Sequence, residues 1–319
     1  MGATESGARM NRERESMVEH GDAVTRPDGA ELLYRPAGRA SAQNAAFSPD
    51  GNALVFTQFD AGYNLGGASL RVLRTSGGPP QVLVRKGDQA AVNLPGAAWN
   101  KPTGLITFSY DVTDLDEIWT IAPGSAPTRV TTHDSIRGYT EPSFAPDGEW
   151  IVFQENDTQT GPGARGSIWK VRRADGLPIE LVDGPGTDTD NRQPNWSPRG
   201  DRIVFQSRHA DSADWDLVTI ASDGSGRATL TAGADEDTDA SFSPDGNWVV
   251  YSSDHARTPH AQIFAHRADG TGLPVRVTTS EHYDGAPSWS PDGRWITFES
   301  SADGESATAL WRIPTRILG

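Results

Sequence analysis

One short motif recurs six times along the chain, and it constrains the fold more strongly than any other feature of the sequence. Each copy has an aromatic residue, then Ser-Pro-Asp-Gly or a variant of it, then a run of apolar and β-branched residues. The leading aromatic residues are Phe47, Trp99, Phe144, Trp196, Phe242 and Trp289. They are separated by 52, 45, 52, 46 and 47 residues. Repeats of about this length are typical of propellers, so the chain is predicted to contain six similar units.

Every repeat has the same local chemistry. Ser-Pro-Asp-Gly is predicted to form a type I turn, because proline presets φ at its second position and glycine accepts the left-handed conformation at its end. The flanking apolar runs then form a β-hairpin, as in residues 144–153. A third strand follows in every copy, and a short fourth strand follows in most of them. Four antiparallel strands per copy, without helical periodicity, predict an all-β, six-bladed β-propeller of four-stranded antiparallel blades.

The last repeat has no fourth strand before residue 319, whereas a matching segment, residues 31–38, lies unused before the first repeat. We expect this N-terminal strand to close the ring by pairing with the last blade, because that pairing removes two open sheet edges. Residues 29–319 then form the propeller. Residues 1–28 are predicted to be a disordered tail outside the fold.

The composition excludes several classes of partner. The formal net charge is −15, whereas a protein that binds nucleic acid needs a cationic surface to displace counterions. We therefore expect no nucleic acid partner. We also expect no membrane insertion, because no stretch approaches the ~18 apolar residues that cross a bilayer. The N-terminus of the printed sequence lacks the apolar core of a secretory signal, which predicts a cytoplasmic location. If a signal was removed, the predicted location is periplasmic or secreted.

The Ser-Pro-Asp-Gly hairpin, followed by a loop and a strand such as Ile168-Trp-Lys-Val, resembles the TolB-like, or PD40, propeller repeat. The resemblance covers roughly residues 30–319. Three copies depart from it, with Lys101-Pro-Thr in the second, Ala145 for serine in the third and Arg199 for aspartate in the fourth. The resemblance implies a propeller, and the wider family includes interaction scaffolds, ligand binders and saccharide-cleaving enzymes. The fold alone therefore does not select a function.

The two faces of such a propeller differ in what they present. The Ser-Pro-Asp-Gly hairpins lie on one face, called the turn face below. The loops between second and third strands, together with the links between blades, lie on the other face around the mouth of the central channel. This second face, the link face, is predicted to hold the functional site, because loops on a rigid scaffold commonly bind ligands.

Five histidines are predicted to lie in loops and links of the link face, namely His133 and the four candidate metal ligands His209, His255, His260 and His282. Imidazole binds first-row transition metals and is an acid–base group near neutral pH. These histidines are therefore a candidate site for a divalent metal, with Ca²⁺ favoured instead if the loop carboxylates supply the ligands. His255, His282 and Tyr283 are the candidate catalytic residues. The alternative is that these are exposed polar loop residues without a ligand.

Candidate ligand contacts come from the links and loops of blades 3 to 6. They are Tyr139, Glu141, Arg192, Trp215, Asp237, Asp239 and Asp284. Nine of the ten tryptophans recur at strand positions, whereas Trp215 lies out of register at the edge of a loop. An aromatic side chain beside arginines and carboxylates could stack on a sugar or a peptide. Loop packing and solvated acids explain the same residues without a ligand.

Two functions remain open at this point, beside a purely structural role as a subunit of a larger assembly. The first is a binding or interaction module that holds a protein segment, a small molecule or a saccharide at the channel mouth. The second is a carbohydrate-active enzyme, a lyase or hydrolase that acts on an acidic saccharide by histidine and carboxylate acid–base chemistry, with or without a metal. The sequence contains no catalytic motif that decides between them.

Overall fold

The repeated turns and apolar runs form β-strands throughout, and the strands assemble into six antiparallel sheets in the computed structural model. The structure describes residues 24–85, 98–111, 115–133, 137–157, 165–255, 258–301 and 307–318. Five sheets have four strands, and the sheet of blade 2 has three strands within the described residues. The prediction of an all-β, six-bladed propeller with four-stranded antiparallel blades is confirmed.

The strands are numbered along the chain and grouped by blade. The chain starts with β1 (Glu31–Tyr34). Blade 1 contains β2 (Ser41–Phe47), β3 (Ala53–Phe59), β4 (Ala68–Arg74) and β5 (Gln81–Arg85). Blade 2 contains β6 (Ile106–Asp111), β7 (Asp116–Ile121) and β8 (Thr128–Arg129). Blade 3 contains β9 (Arg137–Phe144), β10 (Trp150–Asp157), β11 (Ser167–Arg172) and β12 (Pro178–Val182).

The second half of the ring follows the same plan. Blade 4 contains β13 (Thr189–Trp196), β14 (Arg202–His209), β15 (Asp216–Ala221) and β16 (Ala228–Thr229). Blade 5 contains β17 (Asp237–Phe242), β18 (Trp248–Ser253), β19 (Gln262–Arg267) and β20 (Val275–Arg276). Blade 6 contains β21 (Asp284–Trp289), β22 (Trp295–Ser301) and β23 (Thr308–Pro314). A one-turn helix, α1 (Gly184–Thr187), precedes blade 4, and a 3₁₀ turn (Thr315–Leu318) follows β23.

The first strand of each blade lies at the edge of its sheet that faces the central axis of the ring. Blades 1, 3, 4 and 5 pair their strands in chain order, and the first strands of neighbouring blades contact one another around the axis. In blade 2 a single bridge from Trp99 to Ile106 occupies the innermost position, next to residues 86–97, which lie outside the described residues. Among the residues that the structure describes, no helix has the length and apolar character needed to span a membrane.

The N-terminal strand closes the ring as predicted. Strand β1 pairs antiparallel with β23 and becomes the outermost strand of blade 6, in the order β1-β23-β22-β21. The first and last parts of the chain thus share one sheet. This arrangement satisfies the backbone groups of an edge that would otherwise stay open.

The Ser-Pro-Asp-Gly segments form the predicted turns. In blade 1 the amide of Gly51 donates to the carbonyl of Ser48 at 2.9 Å, and Gly51 has a φ of 72°. The hydroxyl of Ser48 donates to Asp50 at 2.6 Å and accepts from the amide of Ala53 at 2.9 Å. The turn therefore holds its own polar groups, and it fixes the register of the hairpin on either side.

The apolar core lies between the blades rather than inside any one of them. Each second strand carries an aromatic residue that is at most 1 % exposed. These residues are Phe56, Phe108, Phe153, Phe205, Tyr251 and Phe298. They pack in clusters that combine residues from two neighbouring blades, such as Phe298 with Val250 and Ile263 of blade 5. Because each sheet buries both of its faces against neighbours, no blade has a core of its own.

The innermost strands carry a kink at one repeated position. Five residues without glycine's freedom have a positive φ there, between 47° and 56°. They are Asn44, Glu141, Gln193, Asp239 and Ala286, each three residues before a leading aromatic residue. The strand pairing shifts register at each of them, which is the signature of a β-bulge.

The kinks expose backbone amides that bind the preceding blade. The amide of Asn44 donates to Glu299 of blade 6 at 3.0 Å, and that of Gln193 donates to Gln154 of blade 3 at 2.6 Å. The amides of Asp239 and Ala286 likewise donate to Gln206 (3.3 Å) and Ser252 (3.1 Å). Every acceptor lies one residue after the buried aromatic residue of a second strand. The same hydrogen bond therefore joins successive blades around the channel.

Residues 24–28, which fall inside the predicted tail, contact the last blade. The guanidinium of Arg26 donates to both carboxylate oxygens of Asp284, at 2.8 and 2.9 Å, and to Asp28. It also lies 5.3 Å from the ring centres of Phe298 and Trp311. The propeller therefore extends at least to residue 24, while residues 1–23 lie outside the described residues and their disorder stays a prediction.

We expect Arg26→Ala to lower the free energy of unfolding by about 3 kcal/mol, because it leaves the fully buried carboxylate of Asp284 without its cation. Urea denaturation followed by circular dichroism measures the change. Arg39→Ala, at an exposed position between β1 and β2, is the control and should leave the urea midpoint unchanged. Equal urea midpoints for the two variants would show that the contact of Arg26 with Asp284 does not stabilise the fold.

We expect Ala286→Gly to raise the free energy of unfolding by roughly 0.5–1 kcal/mol, because alanine at a φ of 47° is strained and glycine is not. Ala228→Gly, in the exposed and extended strand β16, should lower it by a similar amount. Thermal denaturation of both variants gives the comparison. A loss of stability in both would contradict the strain assigned to the kink.

Candidate functional site

Three carboxylates and two tyrosines meet where the channel opens on the link face. They are Tyr63, Glu141, Asp239, Tyr283 and Glu299, and this set is called the channel cluster below. Glu141 and Asp239 are kink residues of two innermost strands, and Glu299 is the acceptor residue of β22. Tyr63 comes from the loop between β3 and β4, and Tyr283 comes from the link before β21. The cluster thus combines residues of blades 1, 3, 5 and 6.

Hydrogen bonds join the residues of the cluster in two groups. The hydroxyl of Tyr283 donates to Glu299 at 3.3 Å and is hydrogen-bonded to the hydroxyl of Tyr63 at 3.3 Å. The two tyrosine rings meet edge to face, with centres 6.0 Å apart. On the other side, the side chain of Gln193 donates to Glu141 at 3.4 Å and accepts from the amide of Asp239 at 3.2 Å. The kinked strands therefore hold the acids side by side.

Burial raises the pKa values of the carboxyl groups in the cluster. Glu141 is 8 % exposed, and burial, together with the charge of Asp239, raises its pKa to about 8. Glu299 is 1 % exposed, and the same two causes raise its pKa to about 7. Burial also raises the pKa of Asp239. Arg192 is a nearby cation that opposes the rise at Glu141. Near neutral pH the cluster holds both protons and negative charge, and a bound cation would take the place of the protons.

The phenols respond to the same acids. The charge of Glu299, followed by burial, raises the pKa of Tyr63 far above its ordinary value. Burial, followed by Glu299, raises the pKa of Tyr283. Both hydroxyls therefore stay protonated and act as hydrogen-bond donors. Tyr63 remains 39 % exposed, so it forms the solvent side of the cluster.

Sequence reasoning named Glu141, Asp239 and Tyr283 as site residues, and the structure brings these three together. It did not include Tyr63, Glu299 or Gln193 in the site. A signal for Glu299 exists in the repeats. The equivalent positions after the buried aromatic residues are Thr57, Ser109, Gln154, Gln206, Ser252 and Glu299, and one of these six is an acid.

Four other candidate contacts lie apart from the channel cluster. Tyr139 is 6 % exposed and stacks on the ring of His133 at 4.1 Å. Asp284 is fully buried against Arg26, and Asp237 is 6 % exposed with its amide bonded to the carbonyl of Trp215. Trp215 itself is 7 % exposed, because two arginines, described below, cover its ring. Their roles as ligand contacts stay predictions.

The four candidate histidines have separate surroundings. His209 is exposed beside Asp211, and His260 is exposed as well. The Nδ1 atom of His255 lies 2.6 Å from Asp235, and the carbonyl of His282 accepts from Gln262. Within the described residues, no group of three or more histidine, aspartate or glutamate side chains is arranged to hold a metal ion. The predicted metal site at these histidines therefore gains no support.

The fold and its channel define the class of protein, a six-bladed β-propeller with a polar site at the link-face mouth. Residues 186–316 match the family model of the TolB β-propeller domain, PD40. The match covers about two fifths of the chain, and it confirms the resemblance to TolB-like propellers with PD40 repeats that the Ser-Pro-Asp-Gly motifs predicted.

Solved structures of two kinds share this fold. A putative TolB from Agrobacterium tumefaciens superimposes with a TM-score of 0.60 and 20 % identity, over 86 % of this chain and 91 % of that one. An oligogalacturonate lyase in complex with manganese gives a TM-score of 0.59 and 14 % identity, over 93 % of this chain and 97 % of that one. At these identities the likeness shows the fold alone.

A relative matches the chain in sequence over about half of its length. An uncharacterized protein of Agrobacterium fabrum (strain C58) is 28 % identical over 173 residues, which are 52 % of this chain and 51 % of the relative. The chain therefore spans about half the length of this relative, whose own activity is not described by its name.

We expect the stability of Glu299→Gln, relative to the unsubstituted protein, to rise as pH increases from about 5 to about 8. The folded protein keeps the proton of Glu299 up to a pKa of about 7, whereas the unfolded chain loses it near the ordinary value of 4.5. The unsubstituted protein therefore loses stability through this window, on the order of 2–3 kcal/mol, and the glutamine variant does not.

Urea denaturation at several pH values measures this difference. Glu149→Gln, at an exposed acid on the turn face, is the control and should follow the pH profile of the unsubstituted protein. A Glu299→Gln profile parallel to that of the unsubstituted protein would contradict the raised pKa.

Proposed function

We propose that this protein is a binding module that holds a segment of a partner protein at the link-face mouth of its channel. The observation that carries the proposal is the channel cluster, whose five side chains come from four blades and meet only in the closed ring. Its donors and acceptors are held by the strand kinks and by hydrogen bonds between blades. A preorganised polar site of this kind binds a ligand with little loss of conformational freedom. The resemblance to a family that includes interaction scaffolds supports the same function.

The chemistry of the cluster favours a ligand that brings a positive charge. Three carboxylates at the mouth attract a cation, and the raised pKa values of Glu141 and Glu299 indicate that their negative charges are incompletely compensated within the protein. A lysine or arginine side chain of a partner segment supplies that charge together with several hydrogen-bond donors. Its binding would release protons from the cluster.

An enzyme that acts on an acidic saccharide is the second candidate. The 2.6 Å contact between His255 and Asp235 favours it, because a carboxylate that orients an imidazole is a recurring acid–base arrangement. The likeness to an oligogalacturonate lyase gives the same indication at the level of the fold. The channel cluster argues against it, because buried carboxylates repel the carboxylate of a uronate. Binding of a cationic segment therefore agrees better with the charges at the mouth.

We expect an acetylated and amidated hexapeptide of alternating lysine and glutamine to bind this protein, and its norleucine analogue to bind at least tenfold more weakly. Glu141→Gln and Glu299→Gln should each weaken binding of the lysine peptide about tenfold, since each removes a charge-assisted contact. Affinity should increase between about pH 6 and pH 9, because the cluster gives up its protons in that range. Isothermal titration calorimetry measures the affinities and the protons released.

Glu149→Gln serves again as the control, because it removes one negative charge from the opposite face. Equal binding of the lysine and norleucine peptides would rule out the cationic ligand. Formation of an unsaturated product from trigalacturonate, lost in His255→Ala, would decide for the enzyme instead.

A further inference from the structure

We propose that Arg192, Arg208 and Trp215 form a carboxylate-binding subsite beside the channel, and that the partner segment carries an acidic residue next to its basic one. These three residues are called the arginine platform below. The inference deepens the proposed function and rests on it, since it takes the ligand to be a protein segment at the link face. It assigns a role to the partly exposed guanidiniums of Arg192 and Arg208, of which Arg192 also acts electrostatically on Glu141.

Strand register in blade 4 builds the platform. Asp190 and Arg192 lie two residues apart on β13 and therefore point to the same side of the sheet. The pairing of β13 with β14 places Arg208 directly opposite Asp190. Trp215 precedes β15, the strand that pairs with β14 on its other side. The guanidinium carbons of Arg192 and Arg208 lie 5.4 and 4.5 Å from the centre of the Trp215 ring.

The charges of the platform do not cancel. Asp190 accepts from Arg192 through both of its oxygens, at 3.0 and 2.9 Å, and also accepts from the amide of Gly166 at 2.8 Å. These contacts occupy the carboxylate, and Arg208 reaches it through one longer contact of 3.4 Å. Two guanidiniums therefore share one buried carboxylate, and one positive charge is left in excess at the surface of a chain whose net charge is −15.

The platform is suited to a carboxylate rather than to a diffuse negative charge. Arg192 and Arg208 have 37 % and 36 % of their side chains exposed, so both can reach a ligand. A guanidinium presents its donors as a planar fork that matches the two oxygens of a carboxylate. Stacking on Trp215 holds the fork of Arg208 in one orientation before the ligand arrives. Little rotamer entropy is then lost when a carboxylate binds.

The platform and the channel cluster are adjacent, which limits what one ligand can be. Arg192 is followed in the chain by Gln193, whose side chain contacts Glu141 at 3.4 Å and the amide of Asp239 at 3.2 Å. A ligand at this point meets excess positive charge on one side and buried acids on the other. A peptide with neighbouring acidic and basic residues satisfies both. An oligouronate carries a carboxylate on every sugar and no cation, so its second carboxylate would face the acids of the cluster.

The test compares two hexapeptides that differ only in charge at alternate positions. One alternates lysine with glutamine, and the other alternates lysine with glutamate. The calorimetric titrations are run at about 0.15 M salt, so that long-range electrostatic interactions are screened. The negative net charge of the protein favours the more cationic lysine–glutamine peptide. Tighter binding of the lysine–glutamate peptide would therefore come from a local cation, and we expect it to bind about tenfold more tightly.

Variants locate that preference. Arg208→Gln should reduce the ratio of the two affinities to about one, and Arg208→Lys should leave an intermediate ratio, because lysine keeps the charge but lacks the fork. The ratio is formed within each variant, so that a change in the affinity for lysine cancels. Arg294→Gln, at an arginine that is 81 % exposed on the turn face, is the matched control and should keep the full ratio. Unchanged unfolding midpoints would show that the variants remain folded.

Three outcomes would overturn the inference. If the lysine–glutamate peptide binds the unsubstituted protein no more tightly than the lysine–glutamine peptide, the platform does not recognise a carboxylate, while the proposed function stands on the lysine–norleucine comparison. If the preference persists in Arg208→Gln, the carboxylate binds elsewhere. If trigalacturonate binds, loses its affinity in Arg208→Gln and neither peptide competes with it, the platform serves a saccharide rather than a protein segment.

Discussion

The hydrogen bond that joins a kinked innermost strand to the blade before it, present at Asn44, Gln193, Asp239 and Ala286, is the interaction on which the rest of the structure depends. The kink turns one backbone amide out of the strand pairing, and a side chain of the preceding blade accepts it. A left-handed conformation at a residue with a β-carbon costs about 1–2 kcal/mol. The bond to the neighbouring blade offsets that strain, and the packed aromatic residues between the blades hold both partners in place. Blades of this kind stabilise one another and have little stability alone.

The same arrangement explains how acids come to be buried at the centre of the molecule. Glu299 accepts the amide of Asn44, so one of its oxygens is needed to join blade 6 to blade 1, and the other meets the hydroxyl of Tyr283. Its neighbours Asp239 and Glu141 sit at kinks of their own. The structural bond and the raised pKa thus have one origin, because the position that accepts an amide between blades is also a position without access to water. An acid placed there both joins two blades and belongs to the channel cluster.

Much of the fold could be predicted from the sequence because its information is local and repeated. Proline and glycine fix each turn, and alternation of apolar residues fixes each hairpin. The closing role of residues 31–34 also followed, because an unpaired edge has to be covered. Of the residues in the channel cluster, Glu141, Asp239 and Tyr283 were named from the sequence. Glu299 was overlooked because it lies within an apolar strand, where a charged residue is recognised as unusual only after the six repeats are aligned position by position.

The sequence by itself determined the turns, the strands of each blade and the number of blades, since these depend on local patterns that repeat along the backbone. Tertiary structure alone decided which side chains share a space. Arg26 is 258 positions from Asp284 in the chain and yet neutralises it, and Trp215 lies beneath two arginines rather than open to solvent. The closing of the ring brings Tyr63 of the first blade to Tyr283 and Glu299 of the last. Such contacts depend on the angle between blades and on the register of strands, which are set by packing of the whole ring and have no local signal in the sequence.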